Sequence, residues 1–263
     1  IRTHLTCQTM ENINIIELKK RPWVVAHRGY RAKYPENTIA AFEAAIAAEA
    51  DMIELDVCLT CDRIPVVIHD KTLDRTTNGK GLVSAHTLAE LKELDAGSWF
   101  GAEFKGEAIP TLEELLLKIK GRITVNIEIK PESFEAPAPP DAIEVQVCEM
   151  VERLEMEDSV LISSFEHFFF ARIQSWYRDQ NISAKIRTAT LQEAPLADDF
   201  AVALCQRHKA YSYHPNECLV TPELIQLLQT EGFRIFPYTI NAEKRMEQLI
   251  KLGVSGIITD EPE

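Results

Sequence analysis

Eight short runs rich in β-branched and aromatic residues punctuate this chain, and helix-period segments separate nearly all of them. The runs are VVAH (24–27), MIELDV (52–57), ITVNIEIK (123–130), VLISSF (160–165), AKIRTAT (184–190), AYSYH (210–214), FRIFPYTI (233–240) and GIITD (256–260). A helix between two strands carries the chain back over the sheet, so the strands it joins run in parallel. Eight such runs in 263 residues predict one α/β domain, a closed (β/α)8 barrel of the TIM type, a fold that takes about 250 residues. A doubly wound open sheet is the alternative, but no Gly-rich phosphate loop follows the first run.

Capping residues give the helix starts. Asn37 is the predicted N-cap of TIAAFEAAIAAEA, and Thr221 caps PELIQLLQTEG with Pro222 at the first helical position. Asn241 is the predicted cap of NAEKRMEQLIKLG, which Gly253 stops.

One stretch breaks the alternation. PVVIH (65–69) follows MIELDV too closely for a crossover helix, which predicts an antiparallel hairpin turning near Cys61, Asp62 and Arg63. The hairpin returns His69 to the rim near Glu54 and Asp56. Residues 70–108 are polar and turn-rich, as expected of a small lobe inserted after the second strand. Its Trp99 and Phe100 either wall a substrate cleft or form the lobe's own core. The expected domains are an N-terminal extension (1–22) and a barrel domain (23–263) that contains the lobe.

Charge narrows the partners. With 28 basic and 41 acidic residues the net charge is −13, which repels nucleic-acid backbones and anionic lipid. An anionic substrate therefore needs a local basic site. No apolar run approaches the roughly 20 residues that span a bilayer, and IRTHLTCQTM lacks an apolar leader core. The expected location is cytoplasmic. A domain of this size does not need disulfide staples, so the six cysteines read as reduced thiols. Cys58 and Cys61 form a C-x-x-C without the second pair a four-sulfur site requires.

The carboxyl ends of barrel strands line one mouth, where such enzymes do chemistry. Here those ends carry His27 and Arg28, Glu54 and Asp56, Glu128 and Lys130, Ser164, His214, Thr239 and Asn241, and Asp260. Side chains alternate along a strand, so Glu54 and Asp56 share a face, as do Asn126, Glu128 and Lys130. Converging carboxylates repel one another unless a cation lies between them. Oxygen donors favour one divalent cation, Mg²⁺ or Ca²⁺. The alternative is an ordinary barrel ion pair between Glu54 and Lys130. His27 and His69 beside that cluster suit a general acid and base, since imidazole titrates near neutrality. Arg28 and Lys130 supply positive charge for an anionic substrate. His4, His86, His167 and His208 fall in tails, loops or helices.

The string VVAHRGYRAKYPENTIAAFEAAI, followed in order by IELDVCLT, VVIHDKTLDRTTNGKG, DAGSWF, IPTLEELL, NIEIKP, SSF, PYTIN and GVSGIITD, resembles the glycerophosphodiester phosphodiesterase family, in particular its short bacterial cytosolic type. The likeness runs from Val24 to Pro262. It implies a barrel with a small lobe and hydrolysis of glycerophosphodiesters to sn-glycerol 3-phosphate and an alcohol, placing the chain in lipid and glycerol metabolism. It also implies metal positions at Glu54, Asp56 and Glu128, catalytic histidines at His27 and His69, and phosphate contacts at Arg28 and Lys130. Departures occur at Cys61, Asp62 and Arg63, where the family usually reads Lys-Asp-Gly, at Cys58, and at Tyr238, where Trp is common; none removes a catalytic group. A metal-dependent lyase or aldolase on the same barrel, and a catalytically dead binding module, are the competing classes. The histidine pair beside Arg28 favours phosphorus chemistry, and no candidate catalytic residue is lost.

Overall fold

A computed structural model describes residues 22–263. Eight strands form the barrel: β1 (Trp23–Ala26), β2 (Met52–Leu59), β4 (Thr124–Ile129), β5 (Val160–Ser164), β6 (Arg187–Gln192), β7 (Ser212–Pro215), β8 (Arg234–Ile235) and β9 (Gly256–Thr259). They are hydrogen-bonded in parallel in the order β8-β7-β6-β5-β4-β2-β1-β9. The remaining strand, β3 (Pro65–Val67), pairs antiparallel with β2, with Val57 opposite Val67 and Leu59 opposite Pro65. The hairpin expected from its short connection is therefore present.

The seventh expected run, FRIFPYTI, is regular only at its start, where it forms β8. Pro237 has no N–H to give a ladder, so the strand breaks up after Ile235. Closure is made instead by single bonds: Ser255 N to Ile235 O at 3.0 Å, Ile258 N to Pro237 O at 3.0 Å, and Ile240 N to Ile258 O at 2.9 Å.

All eight residues of β2 and all six of β4 are buried, as strands covered on both faces must be. Inside, they face the barrel; outside, they meet helices. Helix α3 (Leu112–Ile119) shows how the sequence arranges this. Leu112, Leu115, Leu116 and Ile119 recur at helical spacing and are the buried residues of the helix. Thr111 and Glu114 close a capping box at its start. Each of those side chains contributes about 1.5–3 kcal/mol by leaving water.

Two predicted caps are corrected. Thr38, not Asn37, caps α1 (Ile39–Ala47), accepting from Ala41 N. Helix α8 (Glu243–Leu252) begins at Ala242 with no side-chain cap, so Asn241 does not cap it. Both asparagines serve the mouth instead, as described below. Thr221 and Pro222 start α7 (Pro222–Thr230), and Gly253 ends α8 at φ +91°, as expected.

Residues between β3 and α3 form the inserted lobe, with the short helix α2 (Leu88–Lys92). Leu73, Val83, Leu91, Ala96 and Ile109 pack there on Cys58, Val66 and Ile68 of the hairpin, a small core of its own. Trp99 and Phe100 meet edge to face, and Phe100 continues through Phe104 to Tyr34. Neither lines the cavity at the mouth, and both are exposed and stand outside the lobe's buried core, so neither of the expected roles is seen for them. No helix among the described residues is long and apolar enough to cross a membrane. Most of the expected N-terminal extension, and His4 with it, lies outside the described residues.

Candidate active site

Parallel register brings the strand ends to one level. Asp56 lies opposite Glu128 across the β2–β4 ladder, and Glu54 opposite Asn126. The two-residue period then stacks Glu54 with Asp56, and Glu128 with Lys130, towards the mouth. Glu54, Asp56 and Glu128 are all buried, and one oxygen of each lies within 4.8 Å of the others.

The cluster is only partly neutralised by the protein. Lys130 Nζ donates to Glu128 Oε1 at 2.7 Å and to Asp56 Oδ1 at 3.3 Å. Arg28 gives its backbone N–H to Glu54 Oε2 at 2.9 Å, and its Nε lies 3.4 Å from Asp56 Oδ2. Lysine thus pairs with Glu128 and Asp56 rather than with Glu54, as the simple ion-pair alternative supposed. Burial would raise Asp56, but Lys130 and Arg28 bring it down to about 2. Burial, with repulsion from Asp56 and Glu128, pushes Glu54 well above the usual carboxylate range. Burial likewise raises Glu128 to about 7 against the pull of Lys130. Three carboxylates here cannot all ionise unaided, which is the electrostatic condition a divalent cation relieves. Asn126 Oδ1, buried and without a hydrogen-bond partner, faces the same cavity and adds a neutral oxygen donor. The donor set is all oxygen and suits a hard cation.

Asn37 supports this cluster. Its φ of +58° places it in the left-handed region, and its Nδ2 donates to Asp56 Oδ2 at 2.9 Å. Asp56 N returns a longer bond to Asn37 Oδ1 at 3.4 Å.

The two histidines are held alike. His27 Nδ1 is 2.7 Å from Asp260 Oδ1, and His69 Nδ1 is 2.7 Å from Asp70 Oδ1. A carboxylate accepts at Nδ1, so that nitrogen carries the proton and Nε2 is left for chemistry. Burial lowers the pKa of both imidazoles, opposed at His27 by Asp260 and at His69 chiefly by Asp56. Asp70 is lowered to about 2 by Arg75, and Asp260 to about 2 by His27 against its burial. Asn241 holds Asp260, giving Nδ2–H to Oδ2 at 2.9 Å and accepting Asp260 N at 2.9 Å.

A cavity of about 990 Å³ opens over this floor, lined by His27, Arg28, Glu54, His69, Glu128 and Lys130, with Phe165, Leu191, Glu193, Asn216 and Tyr238 on its wall. Six of the seven residues singled out in the sequence thus line one cavity. The seventh, Asp56, is off its wall but within the carboxylate cluster.

The other strand-end groups do different work. Ser164 Oγ donates to Ile129 O at 2.7 Å and accepts Glu166 N at 3.0 Å, a structural role. His214 is buried against Ser212 Oγ at 2.9 Å, and burial lowers it to about 3, so it stays neutral. His167 bonds Leu191 O at 3.0 Å and leans on His208, away from the cavity. Sequence reasoning missed Glu36, Arg31 and Arg75, which surround the histidine supports. For Glu36 and Arg31 the only sequence signal is the density of charge in RGYRAKYPEN; Arg75, in TLDRTT, lies outside it.

The model of the glycerophosphoryl diester phosphodiesterase family matches residues 27–263. The chain is 43% identical over 241 residues to the glycerophosphodiester phosphodiesterase of Caldanaerobacter subterraneus, covering 91% of this chain and 94% of that protein. It is 40% identical over 244 residues to the enzyme of that name from Bacillus altitudinis, covering 91% and 95%. Among solved structures, it resembles a phosphodiesterase from Oleispira antarctica in complex with the product sn-glycerol-3-phosphate, with a TM-score of 0.82, 30% identity and coverage of 92% and 94%. The glycerophosphodiester phosphodiesterase of Agrobacterium tumefaciens gives a TM-score of 0.77 at 30% identity, covering 92% and 97%.

Proposed function

The chain belongs to the glycerophosphoryl diester phosphodiesterase family, and from that membership we propose that it hydrolyses glycerophosphodiesters to sn-glycerol 3-phosphate and an alcohol. The observation that carries this reading is the cavity in which two aspartate-held histidines face a buried tri-carboxylate cluster. The product named with the Oleispira structure fits it. The catalytic unit of the proposal is the barrel domain, residues 23–263, with its lobe at about 70–108.

Glu54, Asp56 and Glu128 would hold one divalent cation, Mg²⁺ or Ca²⁺. When bound, that ion supplies positive charge against the phosphate oxygens as negative charge builds on them. The remaining work falls to the chain's own groups. Lys130 spends two of its three N–H bonds on Asp56 and Glu128, leaving the third for a phosphate oxygen. Arg28, fixed by Glu36 through Nη1, presents the second cationic group.

In the proposed reaction, one histidine takes the proton from the substrate's glycerol hydroxyl next to the phosphoester. That oxygen attacks phosphorus, the bond to the leaving alcohol breaks, and the other histidine protonates the departing oxygen. A five-membered cyclic phosphate results. Water then opens the ring with the two histidines exchanging roles. This route accounts for two bases and for a glycerol requirement. Direct attack by water is the competing route and needs no neighbouring hydroxyl.

The test is a panel of glycerophosphodiesters with choline, ethanolamine, inositol and glycerol as the alcohol, scored for release of glycerol 3-phosphate. Release from none of them, by protein supplied with Mg²⁺ or Ca²⁺, rejects the reading.

A further inference from the structure

Glu36 does not line the cavity, yet three arginines converge on its carboxylate, which is 2% exposed. Arg28 Nη1 donates to Oε1 at 2.8 Å, and Arg31 Nε donates to Oε2 at 3.0 Å. Arg75 grips both oxygens, Nη1 to Oε2 at 2.8 Å and Nη2 to Oε1 at 2.7 Å. A two-oxygen grip of this kind fixes orientation as well as distance.

Two of these arginines lead onward. Arg75 Nε donates to Asp70 Oδ2 at 2.7 Å and its Nη2 to Oδ1 at 3.0 Å, and Asp70 is the carboxylate on His69. Arg31 Nη1 lies 3.3 Å from both oxygens of Asp260, the carboxylate on His27. An unbroken polar chain therefore runs His27–Asp260–Arg31–Glu36–Arg75–Asp70–His69. Two guanidinium groups, Arg31 and Arg75, alternate with three carboxylates along it and Arg28 joins at Glu36 as a third cation, so each aspartate is held by charge as well as by geometry.

We infer that Glu36 is a positioning residue for both histidines at once, the single buried anchor that sets the orientation of one imidazole relative to the other. The physical requirement is plain. A group that takes a proton at one end of a displacement and a group that gives one at the other must be placed together. Misplacement by about 1 Å costs on the order of 10²-fold in rate. Two histidines hung on independent surface aspartates would drift separately; hung on one buried carboxylate, they are fixed in common. Arg28 shares the anchor, which ties a phosphate-facing cation to the same point.

The inference rests on the proposed roles of His27 and His69, and its test separates the two. In the full chain, Glu36→Gln is expected to lower kcat on the best glycerophosphodiester of the panel by about 10–100-fold while KM changes less than about threefold. Glu36→Asp keeps the charge and should recover part of the loss. Independently of activity, histidine-labelled protein observed by NMR should show the ring signals of His27 and His69 moving together in Glu36→Gln. Those of His86, His167, His208 and His214 should stay in place. Movement of only one of the pair, or of neither, overturns the inference. If the wild-type protein cleaves no diester, the functional reading fails while the NMR result still decides this one. Should Glu36→Gln not fold, Asp70→Asn and Asp260→Asn measure the same link in protein that keeps Glu36. Their effects on kcat should depart from simple multiplication by at least about threefold, and independence would overturn the inference.

Discussion

His27 and Asp260 lie 233 positions apart in the chain and 2.7 Å apart in the structure, with Asp260 Oδ1 accepting from the imidazole Nδ1. They meet because β9 pairs with β1, Ala26 opposite Thr259, so both residues leave the barrel side by side. Asp260 is lowered from 3.8 to about 2, burial opposing and His27 prevailing. A depressed carboxyl stabilises the fold above its unfolded pKa and ceases to do so as pH falls through the folded value. The contribution is on the order of 2 kcal/mol. Asp260→Asn should therefore be less stable than wild type in urea unfolding at pH 7, and the gap should close between about pH 4 and pH 2. A gap that persists unchanged at pH 2 contradicts this account.

Cation uptake should expel protons. Burial with repulsion from Asp56 and Glu128 raises Glu54, and burial raises Glu128 to about 7, so the chelated protein keeps protons on this pair near neutrality. A cation competes with those protons, and its affinity should increase from pH 6 to pH 8. Calorimetric titration with Mg²⁺ or Ca²⁺ in two buffers of different ionisation enthalpy measures the release, expected at about one proton. Equal affinity at both pH values would sink the prediction.

Activity should disappear in EDTA and return with Mg²⁺ or Ca²⁺. Glu54→Ala and Asp56→Ala should match the chelated wild type without losing the barrel, read by circular dichroism. Full turnover by either variant in the presence of chelator would remove these residues from the cation site.

His27→Ala and His69→Ala should each lose at least about 10²–10⁴-fold in rate, the usual worth of a positioned acid or base. His208 ends the helix Asp198–His208, its ring tilted against that of His167 at 5.6 Å between centroids, and does not line the cavity. His208→Ala should stay within about threefold of wild type. A comparable loss at His208 would show that the chemistry lies elsewhere.

The route of attack can be separated by one substrate. A diester whose glycerol 2-hydroxyl is replaced by hydrogen should bind as a competitive inhibitor and not turn over, since the cyclic phosphate cannot close. Hydrolysis at a near-normal rate would establish direct attack by water.

The barrel and most of its mouth were legible because they rest on local repetition. The run MIELDV announces a strand, and its two-residue period puts Glu54 and Asp56 on one face whatever the rest of the chain does. NIEIK does the same for Glu128 and Lys130, and eight such units leave few ways to close a parallel sheet. Asn37 and Asn241 misled for the same reason. Each stands where a helix cap is expected, and no local rule distinguishes a cap from a residue needed by Asp56 or Asp260.

What the sequence alone determined was the set of strands and the face on which each carries its charges, since both follow from backbone geometry over a few residues. Only the tertiary structure decided which charges meet. Closing the barrel set β9 beside β1 and gave Asp260 to His27, while the inserted lobe brought Arg75 to both Asp70 and Glu36. Such pairings join segments far apart in the chain, and they are selected by burial, which makes an unpaired charge too costly to leave alone.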